Sequence, residues 1–130
     1  MRKLFLAFVL CILFIVGLFA VVLHKIYWNH ANNISIKVSE SEDSYRFYAS
    51  YNRYKTHAIQ NYIDAQLNTK HMFRNAKIDA DVTLPDNTSI YVKSFPGLLE
   101  IKLDKEKNDV ASYNKIKALA EGLKVKMSQD

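Results

Sequence analysis

Glycine, proline and cysteine are scarce in this chain, whose 130 residues hold three, two and one of them. Gly97 is the only glycine at an expected loop of the polar part, which excludes a glycine-rich phosphate loop and a dinucleotide-binding fingerprint. Cys11, the sole cysteine, lies inside an apolar run, so no intramolecular disulfide can form in any compartment. Histidine occurs at positions 24, 30, 57 and 71, whereas zinc asks for about three or four converging ligands. His57 and His71 fall at opposite ends of an expected helix and the other two precede the first expected strand, so no metal site is expected. No serine sits on a strand-to-helix elbow flanked by glycines, and neither a catalytic residue nor a cofactor-binding residue stands out.

What the chain has in abundance is apolar surface at its start. Leu4 to Leu23 runs without a charge, and 16 of those 20 residues are Leu, Ile, Val or Phe. A helix of about 20 residues matches a hydrocarbon core of about 30 Å, so this stretch is expected to span a bilayer. A cleaved signal has a shorter apolar core, about 7 to 15 residues, and small residues at both cleavage positions; Leu18 and Ala20 satisfy one of the two. An uncleaved single-pass anchor is therefore expected over residues 1–28, followed by a tether over 29–33 and a soluble domain over 34–130. Arg2 and Lys3 precede the run and Lys25 follows it, a bias that keeps the N-terminus cytoplasmic. Tyr27 and Trp28 come next, where amphipathic rings suit the headgroup level. These five side chains are the expected membrane-interface residues. The domain would then be extracytoplasmic, and periplasmic in a Gram-negative cell.

The charge balance of 18 basic against 13 acidic side chains gives +5, but the three cations flanking the run account for much of it. The remaining 15 against 13 is no nucleic-acid footprint.

Beyond the tether the periodicity becomes two. Ile34, Ile36 and Val38 alternate with polar residues, as do Tyr45, Phe47, Ala49 and Tyr51, with an acidic turn over Glu40 to Ser44 between the two runs. Tyr54 to Asn68 has helical spacing, with Ala58, Ile59, Tyr62, Ile63 and Leu67 on one stripe. Thr69 to Lys77 reads as a basic surface loop pinned by Met72 and Phe73. Ile78, Ala80, Val82 and Leu84 resume alternation, and Pro85, Asp86 and Asn87 close that strand with turn chemistry. Ile90 and Val92 start the return. Pro96-Gly97 then fits the centre of a type II turn, and Leu99, Ile101 and Leu103 follow as the last strand. Short turns make these three strands antiparallel. Asn108 is placed to cap a final helix with the stripe Val110, Tyr113, Ile116, Ala120, Leu123 and Met127, whose Lys117 and Glu121 form an i,i+4 pair. The fold class expected is α+β: a transmembrane helix, then a two-layer domain of order β-β-α-β-β-β-α, with about five antiparallel strands and two helices on one face.

Tyr45 to His57 is dense in tyrosine and arginine, residues that anchor interfaces because they bring large area with a polar tip. Tyr45 and Tyr51 share the inward parity of Phe47. Arg46 and Tyr48 face the other way and, with Arg53, form the expected partner-binding patch. Asp79 and Asp81 lie on one side of their strand; with a histidine they could serve a hydrolase or cation-dependent enzyme, and with Tyr91 and Lys93 across the ladder they simply keep that side wet.

The stretch Asp81-Val82-Thr83-Leu84-Pro85-Asp86-Asn87-Thr88, then Tyr91-Val92-Lys93-Ser94-Phe95-Pro96-Gly97-Leu98 and Ile101-Lys102-Leu103-Asp104, resembles small uncharacterised membrane-anchored proteins of Bacteroidota-type bacteria. These carry a threonine-rich strand, an Asp-Gly-Thr turn, a Ser-x-Pro-Gly turn and a lysine-rich strand in this order, and Asn87 stands where that pattern has glycine. Lys55-Thr56 leading into Gln60, Tyr62 and Ile63 is similar too, so the likeness spans roughly residues 34 to 127. It rests on turn chemistry and implies no activity. The function expected is a non-enzymatic, single-pass anchored domain that binds a protein partner, with the lipid bilayer held through Leu4 to Leu23 and no cofactor. An accessory subunit of a membrane complex, an immunity-type protein and a homo-oligomer remain open alternatives.

Overall fold

In the computed structural model of the chain, residues 33–129 are described. The expected anchor, its flanks Arg2, Lys3, Lys25, Tyr27 and Trp28, and the tether up to position 32 lie outside the described residues. Among the described residues no helix is long and apolar enough to cross a membrane.

The domain follows the expected order. Strands β1 (Ser35–Glu40) and β2 (Ser44–Ser50) form a hairpin, and a 3-10 turn over Arg53–Lys55 leads into helix α1 (Thr56–Leu67). Strands β3 (Ile78–Thr83), β4 (Ser89–Phe95) and β5 (Leu98–Asp104) then form a meander, and helix α2 (Val110–Ser128) ends the described chain. The sheet order is β1-β2-β5-β4-β3, antiparallel at every pairing, so β5 joins the hairpin to the meander.

Period-two patterning decides which side chains are dry. Tyr45, Phe47 and Ala49 of β2, Ile90 and Val92 of β4, and Leu99, Ile101 and Leu103 of β5 are all buried. They form one cluster with Ile59, Ile63 and Leu67 of α1 and Ile116, Leu119, Ala120, Leu123 and Met127 of α2, so both helices pack on the sheet. The full burial of such a side chain contributes roughly 1.5 to 3 kcal/mol. Gly122 lets the helices meet closely, since a Cβ there would fall 2.0 Å from the Tyr62 hydroxyl.

The turns behave as their residues dictate. Gly97 has φ +83, and a Cβ on it would stand 2.9 Å from the Tyr51 carbonyl oxygen, so both conformation and space require glycine. Asn87 takes a left-handed backbone with φ 67, as its short polar side chain permits.

Several local expectations are corrected. The final helix is capped by Asp109, whose Oδ1 accepts from the Ser112 N–H at 2.7 Å. Asn108 instead ties the approaching loop to the sheet, exchanging two hydrogen bonds with the Ser89 backbone and donating to the Asp104 carbonyl. Val110 is 73% exposed because it opens the helix ahead of its packed part, and Leu119 takes a place in the buried stripe. In α1, Ala58 faces solvent and Tyr54, 70% exposed, belongs to the 3-10 turn. Lys117 turns to the Tyr113 hydroxyl, and Glu121 pairs with Lys124 one turn on, at 2.8 Å.

The loop after α1 is held in a way its composition hides. Met72 is 39% exposed while Phe73 is fully buried, so one apolar side chain pins the loop. The buried Asp64 carboxylate accepts from the Thr69 hydroxyl at 2.6 Å and from the Phe73 and Arg74 N–H groups at 3.0 Å. Buried Gln60 accepts from Asn75 N–H and donates to the Ala76 carbonyl, both at 3.1 Å. Two polar residues of a helix thus replace the backbone partners the loop lacks.

Candidate functional site: the outward side of the sheet

Residues of the other parity line up across all five strands. The registers place Lys37, Tyr48, Glu100, Lys93 and Asp79 in one row, and Ser39, Arg46, Lys102, Tyr91 and Asp81 in the next. Charge is graded along these rows. Lys37 and Arg46 stand towards the β1 side, and Asp79 and Asp81 stand on β3 at the far edge.

Diagonal contacts connect the rows. Arg46 Nε lies 2.9 Å and Lys102 Nζ 3.2 Å from Glu100 Oε1. These are ion pairs by distance, without hydrogen-bond alignment at that oxygen. Glu100 is 7% exposed; burial pushes its carboxyl upward, but the Lys102 and Arg46 cations outweigh this and hold it below its ordinary value. Lys102 Nζ also sits 5.1 Å from the centroid of the Tyr91 ring. Tyr91 donates its hydroxyl to Asp79 Oδ1 at 2.5 Å, and this bond is the main reason its own ionisation is pushed up to about 12. The result is a continuous polar chain from Arg46 to Asp79.

Lys37, Ser39, Arg46 and Tyr48 line an open groove of about 320 Å³ on the same side. Arg46 and Tyr48 of the expected patch are therefore brought together. Arg53 is not with them: it lines another cleft, of about 290 Å³, with His57, Gln60, Lys77 and Pro96 among its neighbours. Asp79 and Asp81 share the outward side as expected, opposite Lys93 and Tyr91. His71 lies on the loop beyond α1, and among the described residues no three His, Cys, Asp or Glu side chains gather where a metal ion could be held.

Glu100 escaped the sequence reading, although the inward parity of Leu99, Ile101 and Leu103 places it and Lys102 outward. A second cluster had no local signal at all. Glu40 accepts from the Tyr113 hydroxyl and from Lys105 Nζ at 3.0 Å, while Lys105 and Lys117 stand 4.8 and 5.6 Å from the Tyr113 ring centroid. The Tyr113 hydrogen bond, then Lys105, hold the Glu40 carboxyl below its usual range. This cluster ties the end of β1 to α2.

The chain matches no protein-family model, no curated protein and no solved structure.

Proposed function

We propose that the protein is a non-enzymatic, single-pass membrane-anchored domain that holds another envelope or secreted protein against the outward side of its sheet. The observation that carries this reading is the groove at Lys37, Ser39, Arg46 and Tyr48, continuous with the ordered chain of charges that runs through Glu100, Lys102 and Tyr91. Arg46 and Tyr48 are the anchor residue types, and Lys37 adds a second cation, so the fitting partner presents a carboxylate beside an apolar or aromatic contact. Arg53 would serve from its own cleft as a secondary contact. Placement outside the cytoplasmic membrane rests on the uncharged run from Leu4 to Leu23 and on the cations flanking it.

The test is affinity capture after crosslinking of intact membranes, repeated with Arg46→Ala and Tyr48→Ala. Loss of the same captured protein from both variants is expected. An unchanged set of captured proteins would sink the reading. Recovery at fixed stoichiometry in detergent would identify the partner as the rest of a membrane complex.

A further inference from the structure

Strands β1 and β3 are the two edges of the sheet, and among the described residues the outer backbone groups of each have no strand partner. Such edges are templates for pairing, and their side chains decide with what. Five strands with antiparallel neighbours throughout leave β1 and β3 running in the same direction. A second copy displaced sideways in the plane of the sheet therefore brings its β3 parallel to β1, with outward sides aligned.

One register of that pairing is complementary along its whole length. With Lys37 beside Asp81 of the second copy, Ile34 meets Ile78, Ile36 meets Ala80 and Val38 meets Val82 on the inward side. On the outward side Ser35 meets Asp79 and Ser39 meets Thr83. The apolar members have surface to lose: Val38 is 42% exposed, Ala80 is exposed, and Ile34, Ile36, Ile78 and Val82 are half-buried. Pairing of each edge with itself is poorer. Two β3 strands crossing antiparallel at Ala80 set Asp79 against Asp81 twice, and two β1 strands crossing at Lys37 set lysine against lysine. Crossing at Ile36 avoids that clash but leaves Lys37 facing Ser35, with no opposite charge.

We infer that β1 receives β3 of a second copy of this chain, joining copies head to tail in one continuous sheet with Lys37 on Asp81. The contact is heterologous, so it extends into rows or closes into rings. It uses the strand edges and not Arg46 or Tyr48, although Lys37 and Ser39 also line the groove of the partner reading above.

The test uses full-length protein in native membranes, with Cys11→Ser as background. Copies carrying Ser39→Cys and copies carrying Thr83→Cys, differently tagged, are co-expressed and treated with a short thiol-reactive crosslinker. A product bearing both tags is expected, with none from either variant alone. Lys37→Asp in the Ser39→Cys copy should cut that product roughly tenfold, the change set by turning attraction into repulsion beside the acidic edge. Adding Asp81→Lys to the Thr83→Cys copy should restore it, which also shows that both variants fold. Crosslinking of Ser39→Cys copies to one another, absence of any product, or failure of the charge exchange to restore it would each overturn the inference. The readout is a crosslink between two tagged copies and its restoration by Asp81→Lys, which lies outside the groove, so failure here is distinguishable from failure of capture through Arg46 and Tyr48.

Discussion

Alternate residues of the same strands build the inward and outward sides of this sheet, and the two sides are organised by different forces. Phe47 is fully buried among aliphatic side chains from both helices, while its neighbour Arg46 reaches across the open side to Glu100. Inward contacts are non-directional and stabilise through area removed from water. Outward contacts are directional, and those between exposed partners are screened by solvent and worth little for stability, while the ones that converge on Glu100 hold a buried carboxylate. Position along the chain therefore says less about a residue's role here than its parity does.

The sharpest way to test this division is to truncate those two neighbours. Phe47→Ala should lose about 3 to 5 kcal/mol of stability in denaturant unfolding, since it leaves a cavity at the centre of the core. Arg46→Ala should cost no more than about 1 kcal/mol, because Lys102 still faces the buried Glu100, while losing the captured partner. Gly97→Ala, which faults the turn linking β4 to the central strand β5, should cost about 2 kcal/mol by the same measurement, from backbone strain at positive φ. A gain is expected inside the core: the Tyr45 hydroxyl is buried with no hydrogen-bond partner, so Tyr45→Phe should stabilise by about 1 kcal/mol. Burial, followed by the nearby Glu121 and Glu40 carboxylates, pushes that hydroxyl from 10.0 up to about 12, favouring the neutral form in the folded state. Its contribution is full below pH 10 and is lost as pH rises towards 12, so Tyr45→Phe should flatten alkaline unfolding in that window.

The smallest effect lies on the surface at the acid end. Hydrogen bonds from Lys115 and Thr88 hold Asp86 at about 2, against an ordinary 3.8. A carboxyl lowered on folding stabilises above its unfolded value, and this contribution disappears as pH falls from 3.8 towards 2. Lys115→Met should shallow the acid limb slightly, and added salt should mask the difference.

Parity made most of the architecture legible in the sequence. Alternation in Tyr45-Phe47-Ala49 and in Leu99-Ile101-Leu103 places β2 and β5, the runs at Ile34, Ile78 and Ile90 place the other three strands, and the same parity already puts Arg46 and Tyr48 outside. Helical spacing located both helices. What stayed hidden depends on contacts between distant parts of the chain. Asp64 and Gln60 look like solvated helix residues until the following loop folds back on them, and the capping role passes from Asn108 to Asp109 because Asn108 is drawn to Ser89. Glu40, Lys105 and Tyr113 meet only once β1 and α2 are in place. Arg53 lay near Tyr48 in sequence, yet the 3-10 turn carries it to a different cleft.

The central seam of the sheet has a consequence for how the molecule comes into being. Ser44 pairs with Asp104 and Tyr45 with Leu103, so the first hairpin has its permanent neighbour only in the last strand. Ribosomes release β2 long before β5 exists, and closing so wide a loop is the slow, entropically demanding event. During that interval the emerging hairpin has only the following helix α1, through Ile59 and Ile63, with which to share the cluster around Phe47.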